Sequence, residues 1–184
     1  MNNNQLNTNG SNGYQANNMT INNHAHSNVI KNKSIIADVI NIIAKLPVES
    51  ISYTTRALPE EVEKKILHNN VIRCKYIIEI YKRYNRDLDT AYDILEKERP
   101  GSKQKLSTSI NSCYKQELNK LNKKQIEGIL ITQKQSDSIL ENIIKNLKDK
   151  VLESSNLNAY NEEIENALNL IVANAFIECL VLEN

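Results

Sequence analysis

The last 24 residues of the chain, 161–184, constrain its fold more than any other segment. The stretch begins like a solvated helix with three glutamates, and apolar residues then recur every three to four positions, as on one face of a helix. From residue 175 onward the apolar residues no longer keep to one face, and they would cover most of a helix circumference. Such an end must be buried in its own domain or against a partner. We therefore expect Phe176, Ile177, Leu180 and Leu182 to be candidates for binding a partner protein.

Helical periodicity also dominates the preceding residues. The pattern predicts helices over 29–46 (ended by Pro47), from Glu60 to about residue 68, over 70–85, from a cap at Asp87 to before Pro100, from Ser102 to 121, from a cap at Ser136 to about 151, and from 161 onward. Residues 126–135 are compatible with a loop, a turn or an extended piece. Strand signals are weak, and only four glycines and three prolines are available for tight turns. The sequence therefore predicts an all-α fold, a single compact bundle of six to seven helices.

The first 28 residues differ from the rest in composition. Asparagine dominates them, and they carry too little apolar surface to offset the entropy cost of ordering. We predict a disordered tail over 1–28 and one helical domain over 29–184.

Composition excludes several classes of protein. The 23 basic residues nearly balance the 22 acidic ones, so the net charge predicts neither a nucleic-acid nor a membrane partner. Three widely spaced cysteines without a CxxC pair fit a reducing compartment. Neither a signal peptide nor a run of 18 apolar residues is present. We expect a cytoplasmic protein with no membrane partner.

Charge is unevenly distributed along the chain. A lysine-rich helix over 103–124 contains a possible basic patch, formed by Lys103, Lys105, Lys115, Lys120, Lys123 and Lys124. After Lys150 every charged residue is acidic. The domain should therefore have a basic region and an acidic region, unless the two fold against each other. The lysine helix supports an alternative function, a nucleic-acid-binding accessory or regulatory protein. Lysines without arginines, however, give diffuse charge rather than bidentate recognition.

Catalytic motifs do not appear in the sequence. It contains no P-loop, no dinucleotide-binding fingerprint and no His-Glu-x-x-His zinc motif. The cysteines Cys74, Cys113 and Cys179 fall on apolar faces, where packing is the ordinary role of a thiol. We therefore expect no enzyme, no catalytic residue, no metal and no cofactor.

Two blocks of the sequence resemble a known family. The first, from Leu58 to Leu118, contains Lys65-Ile66, Asn69, Lys75-Tyr76-Ile77-Ile78, Leu88, Tyr92, Leu95, Gly101-Ser102 and Tyr114, and the second contains Ala175-Phe176-Ile177-Glu178-Cys179. Together they resemble a C-terminal domain of the bacterial ABC-three component systems, which are predicted conflict or defence systems. The resemblance covers about 58–184 and leaves the 29–46 helix outside. Glu178 departs from it, because a basic residue is expected there.

The resemblance implies a function in binding proteins. In that family the domain typically follows an effector such as a nuclease or protease and is thought to link it to a companion ATPase. Here only the tail and the 29–46 helix precede it, so we expect an adaptor that contacts a companion ATPase or an effector. It would use the terminal helix and the 29–46 helix. A self-associating structural protein, a homo-oligomer, is the remaining alternative.

Overall fold

The computed structural model describes residues 32–47, 60–122 and 130–182, and these ranges form six α-helices. The helices are α1 (Ile35–Lys45), α2 (Glu60–His68), α3 (Lys75–Glu98), α4 (Ser102–Asn122), α5 (Leu130–Leu152) and α6 (Asn161–Ile177). None of the described residues forms a strand, and the all-α helical bundle is therefore confirmed. The tail predicted over 1–28 lies outside the described residues.

The terminal helix α6 is the centre of the bundle. It packs most extensively against α3 and also contacts α1, α4 and α5. Ten of its 17 residues are buried, including every residue from Leu170 to Phe176. A helix surrounded by neighbours must be apolar on nearly every side, which explains the sequence of its second half. The second half of α6, which the sequence predicted to be buried, is therefore buried inside the domain.

Helix α1 belongs to the same core. Ile36, Ala37, Val39 and Ile40 are buried, and α1 packs against α3 and α6. Its N-terminus is tied to the link before α6 by Asn156, whose Oδ1 accepts a hydrogen bond from the Ser34 backbone N–H at 2.8 Å. The apolar face of α1 is therefore used within the domain. A role of the remaining surface of α1 in binding a partner stays a prediction.

Helix α3 corrects one predicted boundary. We expected two helices separated by a cap at Asp87, but a single helix of 24 residues runs through that position. Its buried residues lie on the same face of the helix before and after Asp87, from Ile77 and Ile78 to Leu88 and Leu95. Because one continuous stripe can pack on α6, tertiary packing overrides the local capping tendency of the aspartate.

Helix α5 corrects a second boundary. It begins at Leu130, so Ser136 is not its cap but a buried residue inside the helix. Part of the ambiguous stretch 126–135 is thus helical, and residues 123–129 lie outside the described ranges. The next residue, Asp137, faces the start of α3, which positions the surface described below.

Candidate functional site

The end of α6 is closed by a Schellman motif. The Leu180 N–H donates to the Ala175 carbonyl at 2.8 Å, and the Cys179 N–H donates to the Phe176 carbonyl at 3.2 Å. In this motif one residue must adopt the left-handed conformation, and glycine usually occupies that position. Here it is Cys179, with φ of 58° and an exposed side chain. The helix thus stops at Ile177 instead of continuing to residue 182.

The four predicted partner-binding residues occupy different environments at this end. Phe176 and Leu182 are buried in the core, whereas Ile177 and Leu180 are half-buried. Burying a phenylalanine is worth about 1.5–3 kcal/mol, which a partner would have to offset in order to reach Phe176. Ile177 and Leu180 are accessible without such opening, and their binding role stays a prediction.

A buried lysine from α2 packs on the end of α6. The Lys65 side chain is only 3% exposed, and its ammonium lies 4.8 Å from the centroid of the Phe176 ring. Burial lowers the pKa of Lys65, and the Cys179 thiol beside it acts in the opposite direction. From the sequence, Lys65 entered only the family resemblance and was not a candidate site residue, although its spacing from Val62 and Asn69 places it on the inner face of α2. That spacing was the available signal.

The junction between α2 and α3 exposes apolar side chains. Leu67, Ile72 and Tyr76, which we call the apolar corner, are 79%, 67% and 52% exposed. The connection between the helices is tight: the Asn70 N–H donates to the Leu67 carbonyl and the Val71 N–H to the Ile66 carbonyl. The apolar corner is therefore presented by an ordered turn.

Asp137 of α5 fixes the orientation of this corner. Its carboxylate accepts hydrogen bonds from the backbone N–H groups of Ile72 at 3.2 Å, Arg73 at 3.0 Å and Cys74 at 2.9 Å. It thereby caps the N-terminus of α3 from a different helix, where an anion is favoured. Burial raises the pKa of Asp137, but these donors outweigh it and hold the pKa below its usual range.

The lysine-rich helix α4 is partly neutralised by carboxylates. Lys103 lies 3.8 Å from Glu178, and Lys120 is paired with the buried Glu117. Lys105 and Lys115 are exposed. The contact with Glu178 joins the predicted basic and acidic regions, so the two do fold against each other there. The remaining members of the patch, Lys123 and Lys124, lie outside the described residues.

None of the helices in the described ranges is both long and apolar enough to cross a membrane.

The residues on which the resemblance rests are brought together by this packing. Lys65, from the first block, lies on Phe176 beside Cys179, both from the second. A family model described as C-terminal domain 10 of the ABC-three component (ABC-3C) systems matches residues 34–183. The chain belongs to this family.

The ABC-three component domain therefore includes α1, which the resemblance had left outside. This agrees with the burial of α1 against α3 and α6. Neither a curated protein nor a solved structure matches the chain.

Proposed function

We propose that this ABC-three component domain is a non-enzymatic adaptor of a bacterial defence system and binds a companion ATPase or effector through the apolar corner. Family membership over residues 34–183 is the observation that carries the role in a multi-component system. Within this proposal the domain works in the cytoplasm, where the exposed Cys179 thiol stays reduced.

The apolar corner has the composition of a binding patch. Leu67, Ile72 and Tyr76 are more than half exposed, and tyrosine is among the residues enriched at the energetic centres of interfaces. Arg73 and Glu141 form an ion pair of 3.1 Å next to these residues, which supplies the polar rim that interface cores commonly have. Because Asp137 orders the adjoining backbone, binding requires little additional loss of conformational entropy.

Co-purification with a companion ATPase of an ABC-three component system tests the proposal. We expect the wild-type protein to retain the ATPase on an affinity column, whereas a variant with Leu67→Ser and Ile72→Ser should retain at least tenfold less, since losing about 1.4 kcal/mol of binding free energy gives a factor of ten. Leu152→Ser is the matched control, because Leu152 is a 46% exposed leucine on α5 outside the corner. Equal retention by all three proteins would reject the corner as the interface.

Two further measurements separate the alternatives. DNA binding that weakens steeply with salt and disappears with Lys105→Gln and Lys115→Gln would favour the nucleic-acid function. A concentration-dependent mass in light scattering that the corner variant abolishes would instead favour self-association. The adaptor proposal predicts that neither of these two results is obtained and that the ATPase is retained.

A further inference from the structure

The side chains of Cys179 and Lys65 meet where α2 packs on the end of α6. The Lys65 ammonium is hydrogen-bonded to the Cys179 sulfur, and both side chains line one cavity of about 410 Å³. The same ammonium lies 4.8 Å from the centroid of the Phe176 ring, so the contact sits at the edge of the core. A sulfur and an amine nitrogen in contact can be joined by a covalent bond after a small side-chain movement.

The two members of this pair differ in their access to solvent. The Cys179 side chain is exposed, whereas Lys65 is only 3% exposed and its nitrogen is buried. The oxidation of cysteine to a sulfenic acid depends on the exposure of the sulfur. A small oxidant such as hydrogen peroxide therefore reaches the sulfur directly, with the amine waiting on its inner side.

Burial prepares Lys65 to react with an oxidised sulfur. A sulfenic acid condenses with nitrogen nucleophiles, and an amine is nucleophilic only in its neutral form. Burial lowers the pKa of Lys65 and so increases the neutral fraction of its amine, whereas the hydrogen bond with Cys179 acts in the opposite direction. The neighbouring Lys64 differs, because it is exposed and paired with Glu60 at 2.7 Å.

The other two cysteines lack this combination of properties. Cys113 also touches a lysine, since the Lys150 ammonium donates to its sulfur at 3.2 Å, but the thiol is fully buried. Cys74 is buried too, and burial together with Asp137 raises its pKa to about 12, which keeps the thiol protonated at neutral pH. Cys179 alone combines an exposed sulfur with a buried amine.

We propose that Cys179 and Lys65 form a redox-controlled cross-link: hydrogen peroxide oxidises the Cys179 thiol to a sulfenic acid, and the Lys65 amine converts this acid into a sulfenamide. In the first step the sulfur attacks a peroxide oxygen, an S–O bond forms and the O–O bond breaks. The sulfur is oxidised, the peroxide is reduced, and the second oxygen leaves as water with the thiol proton.

The second step involves no further oxidant. The neutral Lys65 amine attacks the sulfur, an S–N bond forms, and the S–O bond breaks. The departing hydroxide takes a proton from the nitrogen and leaves as water. The new bond ties α2 to the end of α6, and thiols reverse it by reduction. This site is separate from the apolar corner, so it does not rest on the adaptor function.

Peptide mapping of the full-length protein after treatment with hydrogen peroxide tests the proposal. The remaining thiols are blocked with iodoacetamide, and the protein is digested with trypsin without a reductant. A cross-linked Lys65 resists trypsin, so residues 65–73 should be joined to residues 151–184, about 2 Da below the summed masses of the two peptides, because two hydrogen atoms are lost overall. Dithiothreitol should separate the two peptides.

Three variants identify the reacting groups. Lys65→Met keeps an apolar side chain of similar length but has no amine, so it should give no cross-linked peptide, and Cys179→Ser should give none either. Lys64→Arg is the matched control, because it removes the amine of the neighbouring exposed lysine and keeps the trypsin site, and its yield should equal that of wild type. Circular dichroism confirms that each variant is folded.

Thermal unfolding supplies a second readout. A bond between residues 65 and 179 restricts the unfolded chain, so peroxide should raise the melting temperature of wild type and Lys64→Arg by roughly 5 °C or more, reversibly with dithiothreitol, and should not raise that of Lys65→Met. The proposal is overturned if wild type gives no peptide pair of the expected mass, if the pair persists in Cys179→Ser, or if Cys179 forms only a sulfinic acid or an intermolecular disulfide.

Discussion

Replacing Asp137 with alanine should destabilise the domain through the start of α3. The substitution removes a carboxylate that accepts hydrogen bonds from the backbone N–H groups of Ile72, Arg73 and Cys74. Loss of a helix cap costs about 1–2 kcal/mol, and loss of a negative charge at a helix N-terminus costs a further 0.3–1 kcal/mol or so. We therefore expect a loss of about 2 kcal/mol in the free energy of unfolding, or roughly 4–8 °C in melting temperature.

Urea unfolding followed by circular dichroism at pH 7 measures this loss. Asp137→Asn keeps one oxygen acceptor but no charge, so it should lose about half as much. Asp149→Asn is the control, because Asp149 is an exposed carboxylate elsewhere on α5. A free energy of unfolding for Asp137→Ala within about 0.5 kcal/mol of wild type, the usual range of neutral surface changes, would refute the capping argument.

The same contact has a characteristic pH dependence. The pKa of Asp137 is lower in the folded protein than in the unfolded chain, where an aspartate titrates near 3.9 or so. The contribution of the carboxylate is therefore complete above that value and is lost as the pH falls through the folded pKa. The difference in unfolding free energy between wild type and Asp137→Asn should narrow below about pH 4. A difference that stays constant would contradict an ionised cap.

Three further substitutions have expected outcomes that unfolding experiments can check. Burial and two nearby carboxylates raise the pKa of Cys74 to about 12 in the folded protein. A thiol in the unfolded chain titrates near 8.5 or so, and the free energy of unfolding therefore falls as the pH rises between these two values. Cys74→Ala should flatten the alkaline fall in unfolding free energy, and the same slope in both proteins would contradict this. Tyr81→Phe removes a 3.1 Å hydrogen bond to Asn174 Oδ1 and should cost about 1 kcal/mol, so an unchanged urea midpoint would count against that bond. Gly101→Ala should lower the free energy of unfolding by about 1 kcal/mol through the backbone φ of 81° alone, because an added Cβ meets no atom within 4 Å. An unchanged free energy of unfolding would show that the turn adjusts.

The helices themselves were largely predictable from local signals. The predicted end before Pro47 and the start at Ser102 after Pro100-Gly101 agree with the structure, because proline and glycine act on the backbone where they stand. The expected caps at Asp87 and Ser136 were wrong, since both residues lie inside helices. A capping side chain stabilises a helix start only where packing lets the helix begin.

The candidate sites were less predictable. The cap of α3 is Asp137, which is distant in sequence from the amides that it serves. The burial of Lys65 likewise depends on Phe176, more than a hundred residues later in the chain. No local pattern contains these pairs, because they exist only once α2, α5 and α6 have taken their places in the bundle.

The sequence by itself determined that the chain is helical, that its last helix must be buried and that it resembles the ABC-three component domains. Each of these three conclusions follows from the types of residues and their spacing, which can be read within one or two helical turns or within a sequence motif. The tertiary structure alone decided that α6 ends at Ile177, that Phe176 and Leu182 are internal while Ile177 and Leu180 are only half-buried, and that Lys103 pairs with Glu178. Exposure, charge pairing and cavities depend on which helices are neighbours, and that is settled by the packing of the whole core.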